Sequence, residues 1–307
     1  MKVWQSCGRR RVLWVTCAFV MLWVVTQGFV WLIGASEQEL TAEGRELFIH
    51  EWTPDDPLSG DGDGLGPVFN ANSCVACHSQ GGAGGAGENK HNVRAFSVLP
   101  NRNDSNIYGG VVHANATVEH LLETDEQVLG QYPIIPGGVT VIGNCQVRLE
   151  DFNPVEFEEL NTPALFGVGL IDEISDWSIR QNAWGQSLTA LGKEFQGNFE
   201  ATMGKVRVLP DGRIGKFGWK AQFATVEEFV ATACAVEVGL SNSYRQQDQP
   251  GQFKADEQAE YDMTSYQLDS LTTFCLTLER PELGMPRNSK EHTAVVRGRQ
   301  EFTEIGC

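Results

Sequence analysis

Hydrophobic residues change their period several times along this chain, and each change predicts an element. Residues 12–33 read VLWVTCAFVMLWVVTQGFVWLI, a run with no charge. That length suits a bilayer-crossing helix, which takes roughly 20 apolar residues. After it, Ser36 and Glu39 form an S-x-x-E capping box ahead of TAEGRELF at 41–48, predicting a helix start. A second box, Thr225 to Glu228, precedes Phe229, Val230, Ala233 and Val238 at helical spacing, and Gly239 is placed to end that helix. A third helix is predicted over 256–278, with Leu268, Leu271, Phe274, Cys275 and Leu278 on its apolar face and Pro281 as its stop. Residues 93–142 mix β-branched runs with turn residues, as in YPIIPGGVTVIGN, and predict short strands or extended loops. The expected fold is mainly α, with an irregular, partly β insert.

Charge gives the apolar run a direction. Lys2, Arg9, Arg10 and Arg11 precede it, and no acidic residue occurs before Glu37. A basic flank stays in the cytoplasm, so the rest of the chain is expected outside it. A cleaved signal peptide usually has a shorter apolar core, about 7–15 residues, which favours an uncleaved signal-anchor here. The alternative is a long signal peptide cut near Gly34-Ala35-Ser36. Trp14, Trp23 and Trp31 lie within the run, Trp31 near the expected outer interface, and Cys17 is expected to be inert inside it. Of 307 residues, 41% are hydrophobic, enough for one large or two smaller cores. Acidic residues number 40 against 23 basic; without the four N-terminal bases the remainder carries −21. Such a surface repels nucleic acid and favours a basic redox partner, or simply solubility.

NSCVACHSQGG, residues 72–82, carries the most specific chemistry. A structural zinc site usually needs four ligands in two close pairs, and no second pair follows. A thioredoxin-like dithiol needs a strand-to-helix setting, which the flanking glycine tract GGAGGAG does not resemble. Covalent haem uses every residue. The thiols of Cys74 and Cys77 add to the two vinyl groups, and His78 takes the iron as axial ligand. That attachment is made outside the cytoplasm, in agreement with the N-terminal segment.

The core G-R-x-x-F occurs twice, as Gly44-Arg45-Glu46-Leu47-Phe48 and as Gly298-Arg299-Gln300-Glu301-Phe302. After the second copy the sequence reaches Cys307, read as the first cysteine of a second, truncated haem motif; an unpaired thiol in a chance repeat is the alternative. Asp61-Gly62-Asp63-Gly64 looks like the opening of a calcium loop but lacks the later ligands, so a plain turn is expected. Cys145, Cys234 and Cys275 are expected to include one disulfide, with three pairings open, or Cys275 is simply buried.

The segments LFIHEWTP, DGLGPVFNANSCVACHSQGGAGG, TPALFGVGLIDEI, GKFGWKAQFATVEEFVATACAVEVGLSN and GRQEFTEIGC occur in one order, from about residue 40 to the end. In this they resemble the di-haem oxidoreductase family, whose members are described as di-haem peroxidases or thiol oxidoreductases. The resemblance implies two cytochrome-c-like helical domains, each with one haem c. In such domains the helix before the cysteines packs its aromatic residue near the haem edge. Residues 1–36 would be the anchor, 37–285 the first haem domain with its insert, and 286–307 the start of the second. That second domain departs from the family pattern by breaking off, which weakens a two-haem mechanism for this chain.

By the same resemblance, the body sits outside the cytoplasmic membrane, in the periplasm or an equivalent space. One haem takes electrons from a redox protein and the other reduces hydrogen peroxide, with the haem at Cys74, Cys77 and His78 as the reacting one, or the reverse order. A membrane-tethered carrier of electrons alone is the competing reading, and a haem-free thiol oxidoreductase a third. His50, His91, His113 and His120 are sixth-ligand candidates, as are Met203, Met263 and Met285; His113 is favoured because it follows an apolar stretch expected to enter the core. Glu173 or Asp172 would be the acid–base group, Trp219 would lie between the haems, and Phe69, Asn70 and Asn72 would shape the haem edge.

Overall fold

The computed structural model describes residues 36–100, 108–122, 124–195, 204–248, 260–281, 284 and 286–305. The apolar run at 12–33, Met203, Met285 and Cys307 lie outside the described residues. Among the described residues no helix is long and apolar enough to cross a membrane.

Helix α1 covers residues 36–49. Strand β1 (Val68–Phe69) and the one-turn helix α2 (Cys74–Cys77) follow. The insert then supplies β2 (Val93–Val98), β3 (Tyr108–Val112), β4 (Asn115–Ala116), helix α3 (Asp125–Gln131), β5 (Gly138–Ile142), β6 (Cys145–Leu149) and β7 (Val155–Leu160). The remaining elements are α4 (Val168–Asp172), α5 (Asp176–Phe195), α6 (Val226–Ala233), α7 (Ser265–Thr277) and α8 (Ser289–Glu304). Helix outweighs strand, yet the strands form three separate sheets, so the fold is mixed rather than mainly α.

The main core joins segments far apart in sequence. Leu47 and Phe48 of α1 and the adjoining Trp52 pack with Val230 and Ala231 of α6, Met263, and Leu268, Leu271, Phe274 and Cys275 of α7. Gly44 lets α1 approach α7 closely: a β-carbon there would lie 2.9 Å from Cβ of Phe274. A second core holds the insert together. Strand β2 pairs antiparallel with β3 and β7, and Phe96, Val98, Val112 and Val155 bury Val128 of α3 between them. Hairpin β5–β6 stays largely exposed.

Local signals fared differently. Thr225 caps α6, its hydroxyl accepting the amide of Glu228 at 3.2 Å, and Gly239 ends the following π-helical turn Cys234–Val238 in the left-handed region. Helix α7 begins at Ser265, not at 256, because Thr264 and Gln267 form a capping box there: Thr264 accepts the amide of Gln267 at 3.2 Å, and Gln267 accepts that of Thr264 at 2.8 Å. Ser36 is already helical and does not cap α1. Asp61-Gly62-Asp63-Gly64 forms a turn, and both carboxylate oxygens of Asp63 accept from the Gln247 side chain. The five described cysteines are all free thiols: Cys145 is exposed on the hairpin, Cys234 and Cys275 are buried in the main core, and Cys74 and Cys77 occupy α2. The expected disulfide is therefore not formed.

Candidate functional site

The sequence CVAC closes a single helical turn, which places Cys74 and Cys77 at its two ends. His78 is the residue that ends it, its amide donating to the carbonyl of Cys74 at 3.0 Å. All three side chains are half-buried. Phe48 of α1 stands against the imidazole, with ring centroids 6.1 Å apart, and Phe274 of α7 backs Phe48 at 5.1 Å.

The glycine tract wraps this turn. Nδ1 of His78 lies 3.2 Å from the carbonyl oxygen of Gly85, and the carbonyl of Pro163 is a second backbone acceptor beside the ring. A carbonyl only accepts, so Nδ1 is the donor to Gly85. Glycine is required at 85 because a β-carbon there would collide with the carbonyl of Gln80. Burial pushes the His78 pKa below its ordinary value, against the two carbonyls, and keeps the ring neutral. A neutral imidazole with a fixed tautomer has the form that binds a metal.

The thiols are not tuned for disulfide exchange. Burial pushes Cys74 up to about 12, with the neighbouring Cys77 adding to it. Cys77 is pushed up to about 11 by burial and by the charge of Glu237. Reactive cysteines have lowered values, and the shifts here run the other way. Cys234 and Cys275 also feel the charge of Cys74, which places three thiols around one part of the core. Among the described residues no group of three or more His, Cys, Asp or Glu side chains could hold a metal ion. Two thiols one turn apart with a histidine directly after them would fit covalent haem, with Cys74 and Cys77 as attachment points and His78 toward the iron.

Glu237 escaped the sequence reading. It lies on the π-helical turn, and its carboxylate accepts from Nδ2 of Asn70 at 2.6 Å. Its carbonyl takes the amides of Asn70 and Ala71 at 2.8 and 3.2 Å. Burial raises its pKa, opposed by the Asn70 bond. The local signal was weak; only the interruption of regular α-helix, a frequent mark of functional sites, singles out this turn. Asn70 in turn fastens the insert, since its Oδ1 accepts the amide of Ala114 at 2.9 Å.

The other nominated residues are dispersed. His113 is buried, as the apolar stretch before it predicts, and its Nε2 lies 2.9 Å from the carbonyl of Val236 and 3.9 Å from Asp248. That nitrogen is the donor in the Val236 contact. His50 pairs with the buried Asp56 at 3.0 Å, His91 is half-buried, His120 is exposed, and Met263 belongs to the main core. Glu173 is exposed at the end of α4. Asp172 accepts the amide of Val226 at 3.1 Å, which caps α6. Trp219 is half exposed, and its indole N–H donates to Glu158 at 2.6 Å. Phe69 and Asn70 lie at the edge of the main core beside the π-helical turn, and the carbonyl of Asn72 accepts the amide of Trp52 at 2.8 Å. Set against known proteins, the chain matches no family model, no curated protein and no solved structure.

Proposed function

We propose that this chain is an exported c-type cytochrome of the di-haem oxidoreductase type, in which electron transfer is coupled to peroxide reduction at haem. Haem c would be held by thioether bonds from Cys74 and Cys77, with Nε2 of His78 on the iron. One observation carries the reading: Nδ1 of His78 faces the Gly85 carbonyl directly beside a one-turn helix with a thiol at each end. The packing of Phe48 between His78 and Phe274 supports a cytochrome-c-like domain, because the resemblance places that aromatic residue at the haem edge. Residues 286–307 would begin a second such domain, with Cys307 as its first thiol. Residues 12–33 would anchor the body outside the cytoplasmic membrane, where a redox protein supplies or takes electrons.

Haem, when bound, supplies a one-electron iron couple. The chain does the rest. Gly85 and Pro163 orient the imidazole, burial holds it neutral, Phe48 and the main core exclude water from one side of it, and the acidic surface selects a basic redox partner. Glu237, beside Cys77 and bonded to Asn70, is the carboxyl group best placed to hold a proton near the thioether edge.

A second reading, a membrane-tethered electron carrier without substrate chemistry, draws on the surface positions of Glu173 and Trp219, the two residues nominated for catalysis. Both readings are tested on the full chain made in cells competent for haem attachment. A pyridine haemochrome spectrum with covalent haem retained after acid–acetone extraction is expected, and its loss in Cys74→Ala/Cys77→Ala. Absence of covalent haem in the natural chain overturns both. Peroxide-dependent oxidation of a reduced donor then selects the peroxidase, and a spectrum indifferent to peroxide selects the carrier.

A further inference from the structure

Hydrogen bonds close a ring around the segment that leads into Cys74. The amides of Asn70 and Ala71 donate to the carbonyl of Glu237 at 2.8 and 3.2 Å, and Nδ2 of Asn70 donates to the Glu237 carboxylate at 2.6 Å. Oδ1 of Asn70 accepts the amide of Ala114 at 2.9 Å. The preceding residue, His113, lies 2.9 Å from the carbonyl of Val236, next to Glu237. Gly239 then sets the end of the π-helical turn against Gly66 and the carbonyl of Val68. The approach to the haem motif, the insert and the π-helical turn hold one another, and Glu237 stands where they meet.

The charge of this carboxylate acts on Cys77. The charged groups that face it in turn are His113, just after β3, and Asp248 and Arg245 from the loop after the π-helical turn. Asp248 and Arg245 pair with each other at 2.9 Å, so their effects on Glu237 oppose. The hydrogen bond to the carboxylate comes from a neutral amide, and burial outweighs it, which raises the pKa of Glu237 above the ordinary 4.5. Glu237 and Asn70 are both half-buried, so solvent protons reach the pair.

We infer that Glu237 takes up a proton when the haem attached at Cys74 and Cys77 is reduced, and so sets how the haem potential depends on pH. The inference rests on the haem reading above. One electron enters from the redox partner and reduces ferric to ferrous iron; one proton enters from water and converts the Glu237 carboxylate to the acid. Added negative charge at the haem favours the neutral form of a neighbouring carboxyl, so the reduced protein binds this proton more tightly than the oxidised one. Cys77, as a thioether, has no proton of its own to exchange, which leaves the task at that edge to Glu237.

The test is a spectroelectrochemical titration of the full-length haem-loaded protein along a pH series, for the natural chain and Glu237→Gln. Reduction should raise the proton affinity of Glu237 by on the order of tenfold, which for a one-electron couple lowers the midpoint potential by about 59 mV as pH rises through the window. That fall should lie above pH 4.5, because the folded value is raised. Glu237→Gln keeps an acceptor for Asn70 and is neutral at every pH, so its potential should stay at the natural chain's low-pH value and lose the fall. Asp248→Asn should keep the fall and move it to lower pH, since Asp248 helps to raise Glu237. A second readout needs no variant. The reduced-minus-oxidised infrared spectrum of the natural chain should gain a carboxylic-acid band within the window, and that band should shift in protein made with isotopically labelled glutamate. A potential that does not vary with pH, a fall that survives in Glu237→Gln, or a gained band that ignores the label would each overturn the inference, the last two by assigning the proton to the haem propionates or another group. A natural chain without covalent haem removes the underlying reading, and this inference with it.

Discussion

Gly44 of α1 sits directly on the main chain of Ser270 in α7. A β-carbon at residue 44 would collide with that carbonyl, and this contact sets how closely the two helices cross above Phe48 and His78. The second copy of the same motif has no such neighbour, because the space around Gly298 is open. Gly44→Ala should therefore cost about 1–3 kcal/mol by forcing the helices apart. Gly298→Ala, in an exposed helix, should be neutral or stabilise by up to about 1 kcal/mol. Urea unfolding of the two variants checks the pair, and equal effects would remove the argument.

Asp56 governs acid stability at the other end of α1. Burial opposes its charge, but the amides of Leu58 and Thr53 and the ring of His50 more than offset this and hold its carboxyl below the ordinary 3.8. A lowered carboxylate contributes stability that is fully present above the unfolded value and is lost as pH falls through the folded one. Asp56→Asn should cost about 1–3 kcal/mol at neutral pH. The difference from the natural chain should shrink as pH drops below 3.8, as urea midpoints taken along an acid series would record.

Glu237 works in the opposite direction. Burial raises its folded value above the ordinary 4.5, so the native state holds the proton longer than the unfolded chain does. Stability from this group falls as pH rises from 4.5 through the raised value. Glu237→Gln keeps an acceptor for Asn70 and removes the buried charge. It should raise stability at neutral pH by on the order of 1 kcal/mol, with the gain vanishing below pH 4.5. Thermal melts of both proteins across that range provide the check.

Thiol reactivity should follow burial. In the haem-free chain the exposed Cys145 should alkylate first, then Cys77, then Cys74, with Cys234 and Cys275 last. Peptide mass spectrometry after timed iodoacetamide treatment reads the order directly. Rapid labelling of Cys74 near neutral pH would return weight to the dithiol reading.

Sequence determined what depends on neighbours in the chain. Thr225 opened α6 and Gly239 closed the π-helical turn that follows it, because a cap needs only the turn it adjoins. The spacing of Cys74, Cys77 and His78 put two thiols and an imidazole on one turn, whatever surrounds them. The start of α7 was equally local, in Thr264 and Gln267, but the sequence reading placed it at 256, across the polar stretch DEQAEYDMT.

Tertiary structure alone decided the rest, because it concerns groups that meet only after folding. Glu237 reaches Asn70 across 167 residues, and no periodicity marks a carboxylate that faces Cys77. His113 could be placed in the core from its apolar approach, but its contact with Val236 comes from β4 pairing with β1 beside the π-helical turn. The exposure of Glu173 and Trp219 is likewise a tertiary property, since the same residue types serve solvent and site alike. Residue types and their order selected the chemistry that Cys74, Cys77 and His78 can perform. Folding decided what the His78 ring meets, because the carbonyl that faces Nδ1 comes from Gly85, and only the folded chain holds it against the ring.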